Sequence, residues 1–226
     1  MCFQQQLSSS SQQFSKFGLI GYSEGNVSIQ QSSVTFIVQA LQLYAFGIIG
    51  QTQLGIGCIL EVMNTTITVN TIIYSNTSQG QVAAIVGRNR FVETSYIQHV
   101  VINNSNISSA NDTGGIIRSS YGFYNYAKYG IYMFQDVSVQ NTNISADNIS
   151  AGGFLGYSTC HNIYVSNSNI QSLNVQSNTQ YSLIFAPYSA CSTYIDTSFS
   201  TGENYINGIL QQNCDNWINS LSSTGC

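Results

Sequence analysis

His99 and Asp136 are the pair of side chains best suited to acid–base chemistry in this sequence. Each stands one residue before a similar octet, VVINNSNI (100–107) and VSVQNTNI (137–144), so stacking the octets makes the pair neighbours. Arg88, Arg90 and Glu93 lie nearby in sequence. An imidazole beside a carboxylate could serve cleavage of a glycosidic bond, which needs positioned acids and bases. The remaining carboxylates are scattered: Glu24, Glu61, Asp112, Asp147, Asp196, Glu203 and Asp215. A solvated surface pair explains His99 and Asp136 more simply, and no catalytic residue is assigned. No metal or cofactor is expected. His99 and His161 fall in different repeats, no acidic calcium loop occurs, and the cysteines lack zinc spacing.

A second set of residues suits recognition. SYGFYNYAKYGIYMF (120–134) holds seven aromatic side chains, and RNRFVETSYIQH (88–99) adds more. Together with Arg118 just before the second, they supply Arg88, Arg90, Phe91, Tyr96, Tyr121, Phe123, Tyr124, Tyr126, Lys128, Tyr129 and Tyr132. Aromatic rings with arginine are favoured in contact patches. The expectation is a binding or assembly surface; the competing reading is a hairpin that covers the core.

These residues interrupt a repeat. An octet recurs as VSIQQSSV (27–34), LEVMNTTI (60–67), VVINNSNI, VSVQNTNI, IYVSNSNI (163–170) and a degenerate STYIDTSF (192–199). Positions one and three are expected to point inward from a strand. Position five is Gln31, Asn64, Asn104, Asn141, Asn167 and Asp196, and position six is always Ser or Thr. Such residues tolerate unusual dihedrals and bond to nearby backbone, so they make a corner. Position eight resumes the core with shifted parity. Between octets lie anchors: GLIG (18–21), GIIG (47–50), AIVG (84–87), GIIR (115–118), GFLG (153–156), LIFA (183–186) and GILQ (208–211). Their spacings are 29, 37, 31, 38, 30 and 25 residues.

A period of 20 to 50 residues built from strand-like pieces marks a stacked repeat architecture. The expectation is an all-β, single-domain β-solenoid, a parallel β-helix of about six to seven coils of roughly 30 residues. Asn104, Asn141 and Asn167 should then form one column. The parts are 1–16 as an N-terminal cap or arm, 17–211 as repeats with insertions at 88–99 and 119–134, and 212–226 as a C-terminal cap.

The anchors GGFLGYS, GGIIRS and FGLIGYS, followed by V-x-V-x-N-x-x-I, resemble the GLUG-type repeats of extracellular β-solenoids. They are also similar to repeat-rich surface proteins of anaerobic protists. Arg118, Ala186 and Gln211 depart from the glycine that pattern expects. The resemblance implies adhesion or structural surface roles and supplies no catalytic residue.

Composition fits that setting. Charged residues make up 6% of the chain, against about 25% in a usual soluble domain. With five Lys and Arg and a net charge of −4 there is no basic stripe for nucleic acid. No apolar run approaches the roughly 18 residues of a membrane span. The start, MCFQQQLSSSSQQF, lacks a secretion-signal pattern, so the expectation is a removed leader or a piece of a longer chain. Six cysteines suggest an oxidising compartment. Cys160 with Cys191, and Cys214 with Cys226, read as staples; Cys2 joins Cys58 or another chain. Eight Asn-x-Ser/Thr sites, Asn26, Asn64, Asn76, Asn103, Asn106, Asn111, Asn143 and Asn148, can carry sugar, which would solubilise a surface with few charges.

The reading is a non-enzymatic extracellular or cell-surface structural protein, a glycosylated coat or filament subunit. It would self-associate through solenoid ends and the Tyr/Arg surface. A glycan- or cell-binding adhesin is the alternative, and a carbohydrate-active enzyme centred on His99 and Asp136 stands third.

Overall fold

The computed structural model describes residues 2–53, 59–73, 81–90, 94–109, 112–114, 117–121, 131–147, 150–158, 162–178, 180–182, 192–196 and 199–211. The chain winds as stacked coils. It begins with β1 (Cys2–Phe17) and β2 (Ile20–Ser23), then β3 (Val27–Phe46) and β4 (Ile49–Gln53). The next coil holds β5 (Ile59–Ile73), β6 (Gln81–Ala83) and β7 (Val86–Arg90). After it come β8 (Thr94–Asn103), β9 (Asn106–Ser109), β10 (Asp112–Gly114) and β11 (Ile117–Tyr121). The following coil is β12 (Ile131–Ala146), β13 (Ser150–Gly152) and β14 (Leu155–Ser158). Then come β15 (Asn162–Ser166), β16 (Asn169–Ser177) and β17 (Gln180–Ser182). The last described strands are β18 (Ser192–Asp196), β19 (Phe199–Thr201), β20 (Asn204–Ile206) and β21 (Ile209–Gln211).

One register runs through Val27, Leu60, Ser95, Tyr132, Ile163 and Thr193, all in parallel strands. A five-stranded sheet, ordered β14-β11-β7-β4-β2, forms a further wall. The expected all-β solenoid is borne out, with a rise of one strand spacing, about 4.8 Å, per coil.

The core follows from the alternation. In β12 the inward residues are Tyr132 and Phe134, then Val137 and Val139, then Thr142, Ile144 and Ala146; Ser138, between the two valines, is buried as well. The parity slips once at Asp136 and once at Asn141, and both have positive φ, 52° and 46°. A left-handed residue thus turns the chain and changes which side chains face inward. Gln31, Asn64, His99, Asp136 and Asn167 share this conformation and lie in one register. Asn104, Asn141, Ser172 and Gly202 form a second such column. Asn, Asp and His are the non-glycine residues most often found there.

The octet therefore marks a corner; the coils of β8–β9, β12 and β15–β16 have two, and those of β3 and β5 have the first alone. Asn104 and Asn141 stack as expected, but Asn167 belongs to the other column. Copies at 27, 60 and 163 turn the first corner, and those at 100 and 137 turn the second. Both corners need the same chemistry, so the sequence writes both alike.

Position six explains itself in the same geometry. The hydroxyls of Ser32, Thr65, Ser105, Thr142 and Ser168 each donate to the carbonyl two residues back, across the bend, at 2.6 to 3.1 Å. Two of them also tie coils together. Ser105 Oγ accepts from Val69 N at 3.0 Å, and Ser168 Oγ accepts from Val137 N at 3.1 Å.

The anchors are sites of close approach. A Cβ on Gly18 would lie 2.1 Å from the carbonyl oxygen of Gly47, and one on Gly47 would lie 2.6 Å from that of Ile85. Neither glycine has positive φ. Side-chain absence is what these turns require, so that Ile20 N can reach Ile48 O and Ile49 N can reach Ile85 O. The expected seventh anchor, GILQ, is something else. Asn207 and Gly208, with φ of 47° and 77°, turn β20 into antiparallel β21. An Asn-Gly pair with both φ positive is a favoured hairpin turn.

The two expected insertions shrink. Residues 94–99 and 131–134 are wall, paired from Thr94↔Ile131 to Phe134↔Ile97. Arg90 pairs with Tyr121 and Thr94 with Ile131, so three intervening residues in one coil match nine in the next. The extra chain length falls within 122–130, outside the described residues. Tyr132 and Phe134 are buried, and Phe134 packs at 5.4 Å from Phe154. The last part of the aromatic stretch is core.

Candidate functional site

The outer face of the sheet made by β5, β8, β12, β15 and β18 carries a row of larger side chains. In register along the axis stand Glu61, Tyr96, Met133, Tyr164 and Tyr194. They face outward because their neighbours Val62, Ile97, Phe134 and Val165 point into the core. Tyr164 and Tyr194 are 37% and 56% exposed. Their rings stack at 4.9 Å with planes 9° apart. That distance is the strand spacing, so backbone register sets the ring stack and lines up the hydroxyls along the axis.

Beside this row runs Met63, Gln98, Gln135, Ser166 and Asp196. Gln98 Nε2 donates to Gln135 Oε1 at 3.4 Å, one step of an amide ladder. The first-corner column borders it, and there His99 Nδ1 lies 3.4 Å from Asp136 Oδ2. The stacking of His99 on Asp136 is as the sequence led us to expect. Its cause is structural. Both occupy the left-handed bend that Asn64 and Asn167 occupy in other coils, and His and Asp suit that conformation. His99 is 56% exposed, where an ion pair contributes about 0 to 1 kcal/mol. Among the described residues no group of three or more His, Cys, Asp or Glu could hold a metal.

The predicted Tyr/Arg surface is divided by the fold. Tyr96 belongs to the outward row. Arg88 is buried in β7, in register with buried Gln51, and so does not lie on an exposed contact patch. Every residue from Gln81 to Arg88 is buried, so the burial of Arg88 belongs to the whole segment and not to one face of β7. Arg90 ends β7, and Arg118 and Tyr121 lie in β11. Phe91, Phe123, Tyr124, Tyr126, Lys128 and Tyr129 lie outside the described residues.

Tyr164 and Tyr194 did not enter the predicted surface. Phasing the degenerate octet from Ser192 puts Tyr194 inward. The true register pairs Ile163 with Thr193, a slip of one residue, and such a slip moves every side chain to the other face. Repeating the Tyr at 96, 164 and 194 against the correct register is the signal that finds the row.

Of the candidate glycosylation sites, Asn106 and Asn143 pair directly and are exposed, and Asn70 and Asn174 continue their column. Asn26 and Asn64 are exposed, and Asn103 Oδ1 accepts from Asn141 Nδ2 at 3.3 Å. Asn76, Asn111 and Asn148 lie outside the described residues. So do Cys58, Cys160, Cys191, Cys214 and Cys226; Cys2 begins β1 opposite Ser33.

No family model matches the chain, and no curated protein is significantly similar to it. The fold is similar to that of a crystal structure at 1.30 Å resolution from Bacteroides ovatus, described as a "putative immunoglobulin A1 protease". The TM-score is 0.55 and the identity 17%, over 96% of this chain and 74% of that one. At that identity the likeness concerns the fold.

Proposed function

We propose that the chain is a non-enzymatic extracellular or cell-surface protein, a glycosylated β-solenoid of a surface coat. Its contacts run through the outer sheet face that carries Tyr96, Met133, Tyr164 and Tyr194. The exposed, in-register stack of Tyr164 on Tyr194 is the observation that carries this reading. Large rings left in water are a contact resource, because burying one yields about 2 kcal/mol from apolar area. The low charge and the exposed Asn106 and Asn143 support a sugar-bearing surface. The hairpin bears on assembly. β21 fills the edge of β20 where a further parallel strand would add, which favours contacts along the side of the rod over that end.

Antibodies against the folded chain should label intact, unpermeabilised cells of the producing organism, and labelling only after permeabilisation would refute the location. On isolated surfaces of those cells, the wild-type chain should be retained and the Tyr164→Ser/Tyr194→Ser variant should not. Equal retention would refute the contact face.

A further inference from the structure

We infer that the outward tyrosine row is a binding site for a linear, uncharged polysaccharide lying along the solenoid axis. This rests on the contact-face reading above and names its ligand.

Three features of the row select that ligand. The first is its period. Glu61, Tyr96, Met133, Tyr164 and Tyr194 succeed one another at one strand spacing, over roughly 19 Å in four steps. A surface that repeats along one line suits a ligand that repeats along the same line, and a sugar unit in an extended chain advances by roughly one rung. The second feature is the chemistry beside the rings. Gln98, Gln135, Ser166 and the phenol hydroxyls both donate and accept hydrogen bonds, as sugar hydroxyls do. The rings, whose faces meet each other in the Tyr164–Tyr194 stack, present apolar edges to a chain lying along the row. Stacking rings on one another fixes them before the ligand arrives, so little ordering entropy remains to be lost. The third feature is charge. Among the described residues the acidic and basic side chains on and beside the row are Glu61, Asp136, Asp196 and His99, three acids and one imidazole. That balance repels polyanions, which excludes nucleic acid and acidic glycans.

The test is affinity gel electrophoresis of the full chain in gels containing xylan, mannan, hydroxyethylcellulose or a soluble β-1,3-glucan, with alginate as the anionic control. At least one neutral polymer should retard the wild type. Tyr164→Ser/Tyr194→Ser should weaken that retardation tenfold or more, with an unchanged melting temperature. Tyr164→Phe/Tyr194→Phe keeps the rings and loses the hydroxyls, and it should weaken binding less than the Ser pair. No retardation by any neutral polymer would overturn the proposal, as would retardation by alginate alone or equal retardation of the Ser variant. If the Ser pair instead lowers the sedimentation coefficient of the wild-type chain, the row's occupant is a second copy and the proposal fails. Retention on cell surfaces that depends on the tyrosines but survives periodate treatment of those surfaces would sink the glycan while leaving the contact face intact.

Discussion

Ser168 makes the corner mechanism quantitative. Its hydroxyl is fully buried, donates to Ser166 O at 2.9 Å and accepts from Val137 N at 3.1 Å. One atom therefore closes a bend in its own coil and ties that bend to the coil before it. Ser168→Ala removes both bonds and leaves Val137 N–H without this acceptor, in a place water does not reach. Leaving a buried polar group unsatisfied costs about 1 to 3 kcal/mol. The carbonyl loses less, because it has a second lone pair for other donors. The expected destabilisation is about 2 to 3 kcal/mol by that reasoning, a fall in melting temperature of about 4 to 12 °C for a chain of this length.

Two comparisons isolate the cause. Ser168→Thr keeps the hydroxyl, and Thr65 and Thr142 already occupy equivalent corners, so it should lose less than Ser168→Ala. Ser32 makes only the bend bond among those described and is half-buried, so Ser32→Ala should lose no more than about 1 kcal/mol. Thermal and urea unfolding give the magnitudes, and amide exchange at Val137 gives a local readout. If Ser168→Ala is as stable as wild type, or if Thr restores nothing, the hydroxyl does not hold the corner and the account of octet position six is wrong.

Three further expectations follow from the same geometry. Asn141→Gly should be nearly neutral apart from its 3.3 Å bond to Asn103, whereas Asn141→Val should cost about 1 to 2 kcal/mol for a left-handed L-residue; equal losses in urea melts would refute the conformational cause. His99→Asn and Asp136→Asn should each stay within about 1 kcal/mol of wild type in the same melts, because Asn fills that bend in neighbouring coils; a larger loss would mean the pair holds the coils together electrostatically. Tyr205 donates to Glu203 Oε2 at 2.8 Å, and that hydrogen bond, with the carboxylate's charge, raises its pKa above 10.0. The protonated phenol is favoured in the fold, so its contribution is complete below pH 10.0 and fades as pH rises through the higher folded value. Phenolate absorbance, wild type minus Tyr205→Phe, should titrate later than free tyrosine, and Glu203→Gln should bring it back.

The repeat was legible because stacked coils impose the same demands on every copy. Asn or Gln at the bend, Ser or Thr after it and glycine at the anchors answer fixed problems: a left-handed dihedral, a carbonyl across a corner, and a backbone that leaves no room for Cβ. Those demands act locally, so they appear in sequence. Phase is not a local demand. Corners at His99 and Asn104 lie five residues apart and use the same residue types, and only the inter-coil register distinguishes them. At His99 and Asp136 the next residue is valine, which hid those corners from an octet that requires a hydroxyl. The same ambiguity places Tyr194 inward, an error of parity, whereas Arg88 is expected on the surface because the end of β7 reads as the start of an insertion.

That division also separates what the two edges of the sheet can be asked to do. Bend columns are constrained by backbone geometry, so their polar side chains, His99 and Asp136 included, have a structural reason to exist and need no chemistry to explain them. The outward row has no such reason. Nothing in the fold requires a ring at 96, 164 or 194, since Ser28 fills the same register position in β3. Tyr164 and Tyr194, which exposure penalises and packing does not demand, stand in line with half-buried Tyr96 and are the part of this surface that calls for a partner. Functional inference belongs on the row because folding leaves it unexplained.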